Sequence, residues 1–372
     1  MSKKFLVPVI VILLVIIIIL AIVAINAISG NNDQANSEAS NANVGSQTSE
    51  NPVEPSVEKS EVAKAKESGE IFDDTTEIKD DLGNVVKIPG EFHIASDSGT
   101  KVEEGIVIED EIGNQFVWIP VGEYNVTEDI EKITESAEQD GKLTNELSRR
   151  TFENTGSTLV SGDSVIGSDY YGEGNENSVT KDQIGTFKIS STTNKGFYIG
   201  RYEAGTEVER TSETDSLITP LVQANKYPYV YVTRDEAKQQ SETMYSGNEF
   251  VTSELISSYA WDTALNFICQ TNKDGYLLAK TTDVTYGNIG TSSRTQTGEY
   301  EADNYSNIHD LLGNCWEWTT EYSSYIISDF SGPCVYRGGS VNDSNYYSSV
   351  RSNYNIDFSY NPLSFRIQLY IK

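Results

Sequence analysis

The sequence predicts an α+β domain carried on a membrane-anchored stalk, and three observations predict it. An unbroken apolar run occupies residues 5–25. A Ser-, Asn- and Glu-rich stretch follows over 30–70. From Gly196 onward, short β-rich segments and two helical patterns follow one another without βαβ alternation, which argues α+β architecture over a doubly wound sheet.

Lys3 and Lys4 precede 21 apolar residues, Phe5 to Ile25. At about 1.5 Å per residue they span about 32 Å, enough to cross a hydrocarbon core. The run is longer than the ~7–15 apolar residues of a signal peptide, and Ile25-Asn26-Ala27 is a poor cleavage site. A transmembrane helix within 1–29 is therefore expected. Its lysines belong on the cytoplasmic side, so the rest of the chain lies outside at the cell membrane. Residues 30–70 lack the large apolar side chains needed to offset ordering entropy, so a disordered stalk is expected there, with a transient helix over Glu58–Glu70.

The net charge is −29 and the sequence pI about 4.3. Such a surface excludes nucleic acid as a partner of its bulk, since phosphate contacts need clustered Lys and Arg. Three cysteines are too few for a disulfide-stapled fold. A bridge between Cys315 and Cys334 is open outside the cytoplasm, leaving Cys269 as a buried thiol.

Residues 71–105 are expected to form a small β element. Its core, Asp80-Asp81-Leu82-Gly83-Asn84 and the run to Pro89, is echoed by Asp110-Glu111-Ile112-Gly113-Asn114 and the run to Pro120. Each copy reads as a Gly-Asn turn before a strand, so Ile106–Glu109 should pair with Gln115–Ile119. The main domain is set at 106–372, with 125–195 an insertion. Within the insertion, Glu128–Leu147 has helical character broken by Gly141, and Gly172–Asn194 reads as irregular loop. Gly196–Gly205 reads as a strand. Thr233 and Glu236 make a capping box for a helix after Pro228–Thr233. Ser253–Cys269 reads as a second helix, 281–306 as a long loop, and Leu363–Ile371 as one terminal strand.

Asp310-Leu311-Leu312-Gly313-Asn314-Cys315-Trp316-Glu317-Trp318-Thr319, followed by Tyr336-Arg337-Gly338-Gly339-Ser340, resembles the signature of the formylglycine-generating enzyme (sulfatase-modifying factor) family. Phe116–Gly122, Phe197–Gly205, Pro228–Ala237, Tyr259-Ala260-Trp261-Asp262 and Ser364-Phe365-Arg366 are similar to its other segments in the same order. The resemblance implies a C-type-lectin-like fold. It also implies a calcium site formed by the side chain of Asp310, the carbonyls of Gly313 and Cys315, and the carboxylate of Glu317. The alternative is that Asp310 caps its turn and Glu317 pairs with Arg337, Arg351 or Arg366. Trp316 and Trp318 share one strand face and read as core. The family's oxidases bind copper(I) through two cysteines beyond the double glycine, and a soft ion wants thiolates. Those places fall near Asp343 and Ser348, so no copper and no catalytic residue are expected. Only His93 and His309 are present, so the histidine cluster of the iron sulfoxide synthases is missing too.

From Val341 to Asn361, sixteen of 21 residues are Asn, Tyr, Ser or Asp. That is the composition of a binding surface, in which Tyr gives rigid amphipathic area and Ser and Asn give adaptable hydrogen bonds. It is also similar to the variable regions of diversity-generating retroelement targets. The candidate ligand-binding residues are Asn342, Asn345, Tyr346, Tyr347, Tyr354 and Tyr360, and the expected partner is an extracellular protein or glycan. The expected molecule is thus an outward-facing bacterial surface binder. The alternatives are a copper-dependent formylglycine-generating oxidase and a passive envelope scaffold.

Overall fold

In the computed structural model, the described residues are 58–127, 130, 141–150, 152, 181–322 and 332–372. Among them no helix is long and apolar enough to cross a membrane. The anchor expected at 1–29 and the stalk up to residue 57 lie outside the described residues. Everything from Glu58 to Lys372 forms one compact unit.

Among the described residues, sixteen strands and four α-helices make a mixed α+β structure dominated by sheet. The first helix, α1 (Glu61–Ser68), is capped by the Ser60 hydroxyl and ended by Gly69 in the left-handed region. It lies in the segment expected to be stalk. Val62 is fully buried, and that contact supplies the apolar anchor that composition alone does not reveal. Next come β1 (Thr76–Lys79), β2 (Val85–Ile88), β3 (His93–Ile94), β4 (Val107–Glu109) and β5 (Gln115–Pro120). β1 and β2 form a hairpin, while β3 pairs with β4, so part of the expected 71–105 element belongs to the main sheet. β4 pairs with β5 as expected.

Both hairpin turns use the same device. Asp80 Oδ1 accepts from the Leu82 and Asn84 amides, and its Oδ2 accepts from the Asn84 side chain at 2.9 Å. Asp110 does the same with Ile112 and Asn114. A carboxylate that satisfies its own loop's donors makes the turn self-sufficient.

β6 (Gly122–Asn125) pairs with β7 (Lys142–Asn145). The helical reading of 128–147 therefore fails at its end; most of its earlier part lies outside the described residues. Helix α2 (Lys181–Thr193) replaces the loop expected at that end of 172–194. Phe187 packs there on Phe197 and Tyr370, with centroids 5.2 and 5.8 Å apart, and this packing outweighs Gly185 and the β-branched residues.

The next strands are β8 (Gly196–Gly200), β9 (Gly205–Thr206) and β10 (Tyr227–Pro228), followed by α3 (Arg234–Met244), whose Thr233/Glu236 capping box is present. β11 (Val251–Leu255) then precedes α4 (Ser258–Thr271). Residues 253–255, expected in the helix, are strand; the N-cap is Ser257, whose hydroxyl accepts from Ala260. Twelve of the 14 residues of α4 are buried, so it is a core helix.

The last elements are β12 (Trp316–Tyr322), β13 (Cys334–Arg337), β14 (Ser352–Tyr354), β15 (Leu363–Phe365) and β16 (Ile367–Ile371). Two sheets dominate: an antiparallel one in the order β11-β16-β8-β5-β4-β3 and one in the order β14-β13-β12-β15, whose β12–β15 pair is parallel. The single terminal strand expected from alternation is thus two strands in two sheets. Arg366 is the residue between them. Its fully buried guanidinium meets Glu317 of β12 at 2.6 and 3.0 Å and the Gly200 carbonyl at the end of β8 at 2.8 Å. One side chain therefore ties the two sheets together. A second buried network ties α4 to the smaller sheet, with Asp262 receiving Arg337 at 2.7 Å and Arg351 reaching Glu321 at 2.9 Å.

Candidate functional site

The Asp310–Asn314 turn is a third copy of Asp-x-x-Gly-Asn. Asp310, Gly313 and Asn314 all have positive φ, at 58°, 100° and 57°. Asp and Asn tolerate that region. Gly313 is required there, since a Cβ would sit 2.5 Å from the Asn288 carbonyl oxygen.

Here the carboxylate does not close its own loop. Asp310 Oδ2 accepts from the Gly298 amide at 2.8 Å, and Oδ1 meets no donor. Asn314 instead donates to Glu203 and accepts from the Thr295 amide at 3.0 Å. Glu203 Oε2 meets no donor, and neither oxygen of Asp303 does at hydrogen-bonding geometry. All three carboxyls are buried. The same pentapeptide thus serves as a closed structural turn twice and as an open, inward-facing one once.

Burial pushes the Asp310 carboxyl up to about 7. Burial, reinforced by the Asp310 charge, holds Asp303 well above the usual carboxylate range. Burial and the charges of Asp310 and Glu317 do the same to Glu203, against the Asn314 hydrogen bond. Arg366 is the cation facing this group. Burial works against its charge, but Glu317 outweighs burial and keeps it ionised. His309, stacked on Tyr202 at 5.0 Å, is pushed down to about 3 by burial and by Arg201 and Arg366, so it is neutral.

These atoms test the calcium expectation. A hard cation wants bare carboxylate and carbonyl oxygens, which Asp310, Asp303 and Glu203 supply. Glu317 does not fit the set, because Arg366 takes both of its oxygens. Among the described residues no group of three or more His, Cys, Asp or Glu side chains is arranged to hold a metal ion. Any cation here would depend on backbone carbonyls as well as Asp310 and Asp303.

At the positions corresponding to the oxidase cysteines, two other residues do structural work. Asp343 accepts the Trp316 indole N–H at 2.7 Å and the Ser340 hydroxyl at 2.5 Å. Ser348 is buried, and its hydroxyl donates to the Leu278 carbonyl at 3.0 Å. The three cysteines are buried free thiols. Cys334 lies opposite Tyr322, seven residues along the strand from Cys315. At about 3.3 Å per residue that is about 23 Å, far beyond the ~7 Å limit for bridged Cα atoms. The bridge left open by the sequence is therefore not formed. Burial raises the Cys334 thiol to about 11 and puts Cys315, beside Glu203, well above its ordinary value.

The tyrosine-rich segment forms two rows. Asn342, Asn345 and Tyr346 are exposed, and Tyr346 packs its ring on Trp316 with centroids 5.2 Å apart. Tyr354 and Tyr360 are half-buried on either side of Phe358, at 3.7 and 5.4 Å. Tyr336 of β13 lies against both Trp316 and Trp318, at 4.8 and 5.5 Å, and pairs through its strand with β14. Three of the six expected residues, Tyr346, Tyr354 and Tyr360, thus make these ring contacts; Asn342 and Asn345 are exposed, and Tyr347, like Tyr354 and Tyr360, is partly buried against the core. Tyr336 and Phe358 add to the expected set, and the Phe358-x-Tyr360 spacing is the signal that points to the second. Glu203 lies within the Phe197–Gly205 segment, and nothing in the sequence singles out Asp303.

No protein-family profile matches the chain, and no curated protein matches it. Several solved structures align with the chain at low similarity. The crystal structure of CarF is 14% identical with a TM-score of 0.34, over 56% of this chain and 97% of its own. PvdO from Pseudomonas aeruginosa is 13% identical with a TM-score of 0.36, over 71% and 97%. Treponema denticola variable protein 1 is 12% identical with a TM-score of 0.26, over 80% and 92%.

Proposed function

We propose that this chain is a membrane-anchored, outward-facing binding protein, built on a sulfatase-modifying-factor-type domain that binds rather than oxidises. The observation that carries the reading is the Tyr346–Trp316 and Tyr354–Phe358–Tyr360 packing, with Asn342 and Asn345 exposed beside it. Aromatic rings held by other rings lose little entropy on binding, and adjacent amides supply directional hydrogen bonds. The ligand class is an extracellular protein or glycan. The family membership rests on the ordered motifs, and the anchor on residues 5–25.

The carboxyl cluster has a second role in this reading. A calcium ion at Asp310 and Asp303 would neutralise charges buried beneath the motif turn and so stabilise the scaffold. The oxidase alternative needs thiolates, and burial keeps all three thiols protonated near neutral pH.

The test is capture on glycan and protein arrays by the full chain in detergent, compared with a Tyr346→Ala/Tyr354→Ala variant of unchanged melting temperature. A ligand captured by the parent and lost by the variant supports the reading. Capture that survives both substitutions refutes the site, and blank arrays favour the passive scaffold.

A further inference from the structure

A groove of about 950 Å³ lies elsewhere on the unit and shares no lining residue with the 341–361 segment. Its floor is aromatic. Phe92 is fully buried and packs on Tyr245 at 5.6 Å, while Phe250 closes over Gly90, where a Cβ would lie 2.7 Å from its ring. Ile112, at the tip of the β4–β5 turn, stands 69% exposed at the edge. The rim is acidic: Asp73, Glu91, Glu111 and Glu249 all line the groove and are exposed. A fifth carboxylate, Asp110, is taken up by its own turn and by the Tyr245 hydroxyl at 2.6 Å. No Lys or Arg lines the groove among the described residues. Lys372, which does not line the groove, donates to the carbonyl of the lining residue Asn248.

An apolar floor attracts apolar side chains, and a rim of one sign selects the opposite charge in its occupant. We propose that this groove is a second binding site, which takes a peptide segment of another protein with a Leu-, Ile- or Phe-type side chain flanked by Lys or Arg. The aromatic floor receives the apolar anchor. The exposed rim carboxylates meet the flanking cations, where charge complementarity governs partner choice and association rate. An acidic peptide of equal hydrophobicity is repelled by four carboxylates that have no basic neighbour in the lining, and an uncharged one lacks the attraction that holds a cationic one.

The test uses an array of immobilised hexapeptides of varied charge and hydrophobicity, probed with the labelled full chain in detergent. The variant is Ile112→Asp/Glu111→Lys/Glu249→Lys, all exposed positions. Because the chain is strongly anionic overall, a control with a slightly larger charge change elsewhere, Glu299→Lys/Glu301→Lys, is run beside it. The proposal expects captured peptides to combine Lys or Arg with large apolar residues. It also expects capture to weaken at least ~10-fold in the groove variant and to stay within ~2-fold in the control. Capture indifferent to peptide charge, or equal loss in both variants, overturns it. A concentration-dependent dimer of the parent that the groove variant abolishes would assign the groove to a second copy and also overturn it. Loss of capture by Tyr346→Ala/Tyr354→Ala on the ligand arrays is a separate outcome, since those residues do not line the groove.

Discussion

Raising the pH should weaken this fold in a window set by the carboxyls around Asp310, and calcium should remove the effect. Asp303 and Glu203 are held well above the carboxylate range, and Asp310 rises to about 7. The native state therefore keeps protons that the unfolded chain has released. Such a group stabilises fully below its unfolded pKa of ~4 and loses that contribution as pH climbs through its folded value. His309 acts in the opposite sense. Its depressed value adds stability as pH rises from about 3 to ~6.5, so the carboxyl effect is partly hidden there. Above ~6.5 the imidazole is neutral in both states and the carboxyls remain. Each retained proton then costs about 1.4 kcal/mol per pH unit for as long as it is held. That is a few degrees of melting temperature for a unit of this size. The assay is thermal unfolding of the full chain in EDTA between about pH 6.5 and about 8.5, repeated with calcium and with Asp303→Asn. Asp303→Asn should lower the slope, and calcium should flatten the parent curve, because it binds the ionised form. A flat parent curve in EDTA, or a slope untouched by Asp303→Asn, would refute the reasoning.

Three further outcomes follow from the same contacts. Arg366→Leu should destabilise by about 3–5 kcal/mol in urea titration, since it leaves Glu317 charged, buried and alone; Glu317→Gln should cost less. Asp343→Ala should cost about 1–3 kcal/mol by leaving the Trp316 indole N–H without an acceptor, and a shift in tryptophan fluorescence should accompany the change. Asp80→Ala and Asp110→Ala should each cost about 1–2 kcal/mol by opening a closed turn, whereas Asp310→Asn should cost nothing above about pH 7, because its amide oxygen still accepts from Gly298 and no buried charge remains.

The sequence spoke clearly where local chemistry decides. The β4–β5 hairpin, the Thr233 cap and the burial of Trp316 and Trp318 needed only turn residues, capping chemistry and strand parity. It misled where packing overrides local preference. Alternation runs unbroken from Leu363 to Ile371, yet Arg366 divides the segment because its charge must reach Glu317. Ser253 and Ser257 are both plausible caps, and only pairing of Val251–Leu255 with β16 selects the second. The site was half legible. Asp310 and the Tyr/Asn composition stood out, but Asp303 and Glu203 join Asp310 only through the fold. Three pentapeptides of one Asp-x-x-Gly-Asn pattern give no sign that one of them opens inward.

The central claim is that this scaffold acts by binding and performs no oxidation. It is tested most directly by incubating the purified full chain, loaded with copper(I), with a Cys-containing sulfatase peptide and weighing the peptide by mass spectrometry. The account predicts the thiol unchanged; an aldehyde formed with turnover, and lost in Cys315→Ser or Cys334→Ser, would contradict it.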